Sequence, residues 1–258
     1  MSVLGAGLWG NGGPNVGVAF AMRGRIQASG IWTPARPSGS ALWLRADLGV
    51  TIASGVSYWA DQTGHQPPAA QSTGSMQPTV TASAINGKPA LTFNAAASQY
   101  LTVPTFARPG GATAPGEAWI LVNDSTSNTA IWNIGGSGAL DAYIYSAQIW
   151  DDALSQTRTT VTPVVGYGTW TLYSVVSTAT SWANYQNGAL LTSAAGPFYP
   201  YWPTTISIGA SGVTYPLTGS IAELWIGAQM SSADRASTKA YLTARYGITF
   251  STAGGNWS

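Results

Sequence analysis

The sequence predicts an all-β fold: a two-sheet antiparallel jelly-roll sandwich with one C-terminal α-helix and an extended N-terminal arm. Three observations predict it. Short runs rich in Val, Ile, Tyr, Trp and Thr recur from residue 41 onward, with Gly, Asn, Pro and Ser between them. Turn signals fall roughly every 8–15 residues, as many short strands require. A single stretch near the C-terminus, MSSADRASTKAYLTARYG, carries helical start and stop signals.

Residues 1–40 read as an arm. Gly5, Gly7, Gly10, Gly12, Gly13, Pro14, Gly17, Gly24 and Gly30 interrupt any regular element. Within it Val16, Val18, Phe20 and Met22 alternate with small residues, the pattern of a strand added to a neighbouring subunit's sheet. Residues 41–258 form the sandwich domain. Its expected strands cover 41–45, 57–59, 90–93, 100–103, 118–123, 129–134, 141–145, 161–165, 170–177, 182–186, 189–192, 205–208 and 219–227. Asn187-Gly188, between two of these runs, predicts a tight hairpin with both turn residues at positive φ. The helix is expected to start at an N-cap Ser231, with Asp234 three residues on, and to stop at Gly247. Ala236, Ala240 and Leu242 to Tyr246 supply its apolar stripe, and it covers one end or face of the sandwich.

Composition narrows the function. Charged residues are 7% of the 258, with 10 Lys+Arg against 9 Asp+Glu. No basic stripe exists, so nucleic acid is not an expected partner. A surface with so little charge does not repel copies of itself, which suits a homo-oligomer or a larger assembly. Cysteine is absent, which excludes disulfides and thiolate-bound metals, and the one histidine excludes a site built on two imidazoles. The first residues lack the basic and apolar regions of a Sec signal, and no uninterrupted apolar window is long enough to predict a membrane span.

The ends of the sandwich region resemble a known family. Trp43, Arg45, Asp47, Trp59, Asp61, Gly64, Gln71, Pro78, Asn86-Gly87, Pro89 and Phe93 resemble the opening of concanavalin A-like, laminin-G-like jelly-roll domains. Gly219, Ile221, Glu223, Leu242 and Tyr246-Gly247 resemble their closing strand and helix, and the resemblance spans roughly 41–248. It implies the sandwich fold and the settings in which such domains occur: secreted sugar-binding proteins, some glycosidases and bacteriophage structural proteins.

A jelly-roll glycosidase needs two carboxyl groups about 5–5.5 Å apart for retention or about 6.5–9.5 Å apart for inversion. Acids at i and i+2 or i+4 of a strand would supply them, and none of the 9 acids is so spaced. No catalytic residue is therefore expected. His65 lies in the polar turn DQTGHQPP, with no Gly-x-Ser-x-Gly elbow to pair with it. No cofactor is expected. Because related lectin-like domains often bind calcium, Asp151, Asp152 and Asp61 stand as calcium candidates, against the plainer reading of Asp61 as an Asx turn with Thr63 and Gly64. Arg45, Asp47 and Glu223 read as structural, an Arg45–Glu223 or Arg45–Asp47 contact tying the first strand to the last.

The aromatics supply the binding candidates, 12 Trp and 12 Tyr in all. Trp182, Asn184 and Gln186 share one face of a strand, as do Tyr143 and Tyr145. Phe198, Tyr199, Tyr201 and Trp202 sit in the Pro-stiffened segment GPFYPYWPTT. The expected function is a non-enzymatic virion component: a bacteriophage capsid decoration, fibre or adhesion protein. Its arm contacts other virion subunits and its aromatic surface meets glycans. A secreted carbohydrate-binding module and a jelly-roll glycoside hydrolase are the alternatives.

Overall fold

The structure is a computed structural model; it describes residues 32–135, 141–195, 200–252, 255 and 257, with backbone alone at 141–143. In chain order its strands are β1 (Ser40–Arg45), β2 (Val50–Ile52), β3 (Val56–Trp59), β4 (Ala69–Ala70), β5 (Thr79–Ile85), β6 (Lys88–Phe93), β7 (Leu101–Val103), β8 (Gly116–Asp124) and β9 (Thr129–Asn133). They continue as β10 (Asp141–Tyr145), β11 (Gln148–Asp151), β12 (Thr159–Val161), β13 (Thr171–Ser177), β14 (Ser181–Gln186), β15 (Ala189–Ala195), β16 (Ile206–Ile208) and β17 (Gly219–Ala228), followed by helix α1 (Ser232–Tyr246). Sheet A runs β15-β14-β13-β8-β17-β6-β5 with β1 also on β17, and sheet B runs β12-β11-β10-β9-β16-β7-β4-β3-β2. Every pairing is antiparallel, and this is the two-sheet sandwich that the strand rhythm predicts.

Alternation along the strands builds two cores. In β1, Leu42 and Leu44 point between the sheets with Trp59, Trp132, Trp182, Leu101 and Ile120. Trp43, between them, points the other way, into a second cluster with Trp119, Trp225, Leu172, Leu242 and Tyr246. Sheet A thus lies between two apolar layers, and each fully buried side chain of this size stabilises the fold by about 1.5–3 kcal/mol.

Helix α1 closes the outer face of sheet A. The Ser231 hydroxyl accepts the Asp234 N–H at 3.1 Å, and Gly247 ends the helix at φ 71°, both as the sequence predicts. The buried face differs from the expected stripe. Arg235, Thr238, Leu242 and Tyr246 face the sheet, while Ala236 and Ala240 are exposed. A charge sits on the inner face because Glu117, fully buried on β8, receives it: the Arg235 guanidinium donates to Glu117 at 2.8–3.2 Å.

The Asn187-Gly188 hairpin forms with φ 46° and 79°, and Asn86-Gly87 closes β5 on β6 in the same conformation. Strands β2, β4, β5 and β11 were not expected. The expected 161–165 run is replaced by β12, after which the chain leaves the sheet at Pro163. Residues 32–39, assigned to the arm, lie on the sandwich: Trp32 is 5.9 Å from the Tyr241 ring, and the Ser40 hydroxyl donates to the Pro34 carbonyl.

Candidate functional site

The aromatic-amide face of β14 is formed as expected, but it faces inward. Trp182 is 1% exposed and donates its indole N–H to the Ala153 carbonyl at 2.8 Å. The Asn184 amide donates to the Tyr173 hydroxyl at 2.8 Å, and that hydroxyl donates in a short hydrogen bond to Asp151. The Gln186 side-chain carbonyl accepts the N–H groups of Val164 and Val165, holding the segment that follows β12 over the gap between the sheets. Trp182, Asn184 and Gln186 are therefore corrected from a ligand surface to core. Period-2 alternation shows that they share a side but cannot show which side, and β14 lies inside sheet A with that side toward sheet B.

Trp202 is likewise buried, stacked on Phe106 at 5.9 Å with its N–H on the Ala114 carbonyl. Tyr201, beside it, is half-buried, and its N–H reaches the Leu154 carbonyl at 3.3 Å. Tyr145 is exposed, with its ring edge-on to Trp150 at 6.1 Å. Phe198, Tyr199, the Tyr143 side chain and the arm residues Val16, Val18, Phe20 and Met22 lie outside the described residues.

Two of the three calcium candidates have their carboxylates taken by hydrogen-bond donors. Asp61 accepts the N–H groups of Trp43, Thr63, His65 and Gln66 and the Thr63 hydroxyl, so donor hydrogens surround it on every side. This is the Asx-type turn of the plainer reading, and it ties the loop to β1. Asp151 is equally occupied, by Tyr173, Asn184 and the Ala153 N–H. Asp152 is buried with one oxygen 3.6 Å from Arg158, and among the described residues no group of three His, Cys, Asp or Glu side chains converges. Replacing Asp61 with alanine strands several backbone donors at once and is expected to lower stability by about 2 kcal/mol, measured as a urea midpoint shift.

The other described carboxylates also have structural partners. Asp47 bridges Arg45 and Arg245 at 2.6 Å each. Glu223, opposite Arg45 in the β1–β17 register, accepts from the Trp43 indole and from the Tyr241 and Tyr246 hydroxyls at 2.6–3.0 Å. Its pKa is pushed up to about 7 because burial outweighs those hydrogen bonds. Asp124 on β8 rises to about 6, again by burial, against the Thr129 hydroxyl and the Thr126 N–H. Asp234 caps α1.

With α1 and its core over sheet A, the face that no helix covers among the described residues is the outside of sheet B. Its register draws one line across five strand pairings: Thr51 opposite Tyr58, Tyr58 opposite Ala70, Ala70 opposite Thr102, Thr102 opposite Ser207, and Ser207 opposite Asn133. The neighbours of these residues, Val50, Trp59, Ala69, Leu101, Val103, Ile206, Ile208 and Trp132, belong to the inter-sheet core, so the line faces out. Tyr58 is 49% exposed at one end, and Asn133 is half-buried at the other, its amide 3.4 Å from the Ser211 hydroxyl. The small hydroxyl-bearing residues Thr51, Thr102 and Ser207 lie with them, Thr51 exposed, Thr102 half-buried and Ser207 buried. This is the candidate site, and the sequence reading missed it. The available signal was a polar residue between two apolar ones, as in Leu101-Thr102-Val103 and Ile206-Ser207-Ile208, but cross-strand neighbours cannot be read from one strand at a time.

No protein-family model matches the sequence, and neither does any curated protein. Solved structures do match. The sialidase of Trypanosoma rangeli in complex with sialic acid aligns over 80% of this chain and 33% of its own, at 14% identity and a TM-score of 0.53. The botulinum neurotoxin serotype D ligand binding domain in complex with N-acetylneuraminic acid aligns over 80% of this chain and 51% of its own, at 11% identity and a TM-score of 0.50. Domain 4 of AbnA, an extracellular GH43 arabinanase of Geobacillus stearothermophilus, in complex with arabinotriose, aligns over 74% and 93%, at 13% identity and a TM-score of 0.47. The chain thus spans a third of the sialidase and about half of the toxin domain. At these identities the likeness to the sialidase and the toxin domain shows the fold alone.

Proposed function

We propose that this chain is a non-enzymatic glycan-binding sandwich that serves as a structural component of a virion: a bacteriophage decoration, fibre or adhesion protein. Residues 1–31 carry attachment to neighbouring subunits, and the outer face of sheet B meets surface glycans. The observation that carries the binding reading is the line Thr51–Tyr58–Ala70–Thr102–Ser207–Asn133 on a sheet face that no helix covers among the described residues. Hydroxyls and an amide beside an exposed ring suit a polyhydroxylated ligand. The absence of an enzyme role is supported by the partners of Asp47, Asp61, Glu117, Asp151 and Glu223, which engage these carboxyls in holding the fold. The assembly reading is supported by the 7% charge content and by the alternating Val16, Val18, Phe20 and Met22. No calcium or other cofactor takes part.

A glycan array probed with the full chain tests the binding half: retention on one or more saccharides is expected, and retention on none overturns it. Gel filtration of the full chain beside a chain beginning at Trp32 tests the assembly half. The full chain should elute as an oligomer and the shortened one as a monomer. Equal elution as monomers removes the anchoring role of the arm.

A further inference from the structure

We infer that the outer face of sheet B selects a neutral, extended oligosaccharide and rejects acidic sugars. The inference rests on the glycan reading of that face and adds the chemistry of its ligand. Across the nine strands of sheet B there is no lysine, arginine or glutamate. Asp151, on β11, points between the sheets to Tyr173. Five of the six described arginines are engaged elsewhere, and the sixth, Arg36, is exposed on the segment before β1, next to Ala35, which packs against the layer outside sheet A. Arg45 and Arg245 hold Asp47, Arg235 holds Glu117, Arg158 faces Asp152 and Arg108 donates to the Pro203 carbonyl. A sugar carboxylate laid on this face would lose water and gain no cation, a cost that a neutral sugar avoids.

On the face Thr51 and Tyr58 are exposed and Thr102 and Asn133 half-buried, while Ser207 is 7% exposed. Among the described residues, the side-chain hydroxyls of Thr51, Tyr58, Thr102 and Ser207 make no hydrogen bond to the protein, whereas Thr63, Thr129 and Thr238 elsewhere in the fold all do. At a strand spacing of about 4.8 Å, five steps from Thr51 to Asn133 span about 24 Å, far longer than one sugar ring. The line crosses five adjacent strand pairings, so its ligand lies along it as an extended chain, with Ser211 of the loop after β16 flanking the Asn133 end. Tyr58, near one end, offers a ring face for stacking, and Ala70 beside it leaves room for the neighbouring sugar.

Titration calorimetry on the full chain tests this with cellotetraose, xylotetraose and maltotetraose as neutral probes and sialyllactose as the acidic one. At least one neutral tetrasaccharide should bind, more tightly than its monosaccharide and equally at low and high salt. Tyr58→Ala, at an exposed position that leaves the fold intact, should weaken it about fivefold to tenfold. Thr102→Val should also weaken it while thermal stability stays unchanged. Salt-sensitive binding of sialyllactose that Tyr58→Ala removes would overturn the neutral selectivity yet keep the site. Neutral binding indifferent to both variants would overturn this face as the site. Binding of none of the four probes, with an array equally blank, would instead remove the glycan reading beneath it.

Discussion

Replacing Arg235 with alanine is expected to destabilise the protein by about 3–5 kcal/mol, the cost of leaving one partner of a buried ion pair alone. Glu117 is fully buried on β8 and Arg235 almost so on α1. Three donor–acceptor contacts of 2.8–3.2 Å join them, and the Met230 N–H supplies the carboxylate's remaining partner at 3.1 Å. Without the guanidinium, the carboxylate must stay charged in an apolar layer or take up a proton. The pair matters for position more than for net energy. The double variant Glu117→Leu/Arg235→Met should recover most of the loss, because a well-packed apolar pair avoids both desolvation costs. Urea unfolding of the wild type, both single variants and the double variant completes the cycle. A single-variant loss below about 1 kcal/mol would mean that α1 is held by its apolar contacts alone.

Stability should fall as pH rises from about 4 to about 8, the second large effect. Asp124 and Asp151 are raised to about 6 and Glu223 to about 7, each chiefly by burial. A carboxyl whose pKa is higher in the folded state binds more protons folded than unfolded through the interval between the two values. Its contribution is complete below the unfolded pKa and is lost as pH passes the folded one. Each group contributes on the order of 1–3 kcal/mol, enough together to move the thermal midpoint by several degrees. Asp47 works in the opposite sense: although partial burial acts to raise it, hydrogen bonds from Arg245 and Arg45 bring it below its usual value, so its contribution fades at the acid end. Thermal melts across this range should therefore peak on the acid side of neutrality. Glu223→Gln should flatten the upper part of the slope and Asp124→Asn the part near pH 6. A wild-type profile that rises from pH 5 to pH 8 would contradict the assignment.

The fold was largely legible because its signals are local. Alternation found β1, β8, β13, β14 and β17, and Asn187-Gly188 and Ser231 to Gly247 marked a turn and a helix by backbone chemistry. Strand β11 escaped because its hairpin with β10 turns through Ser146 and Ala147, both at positive φ, residues that carry no turn signature. Strand β5, TVTASAI, is mostly exposed and low in apolar content, although Asn86-Gly87 after it was the usable clue. The site was much less legible. A buried Trp182 and an exposed Tyr58 are both aromatic residues on alternating strands, and only the order of strands across the sheets separates them. The same limit placed Arg235 outside the expected helix stripe, since its partner lies 118 residues earlier in the chain.

Strand β17 gives Ile221, Leu224 and Ile226 to one apolar layer and Ala222 and Trp225 to the other, while pairing with β1, β6 and β8. Neither layer can open and leave that strand undisturbed. Its amide protons should consequently exchange with solvent only when the whole sandwich comes apart, so the helix layer and the sheet layers dissolve as one cooperative unit.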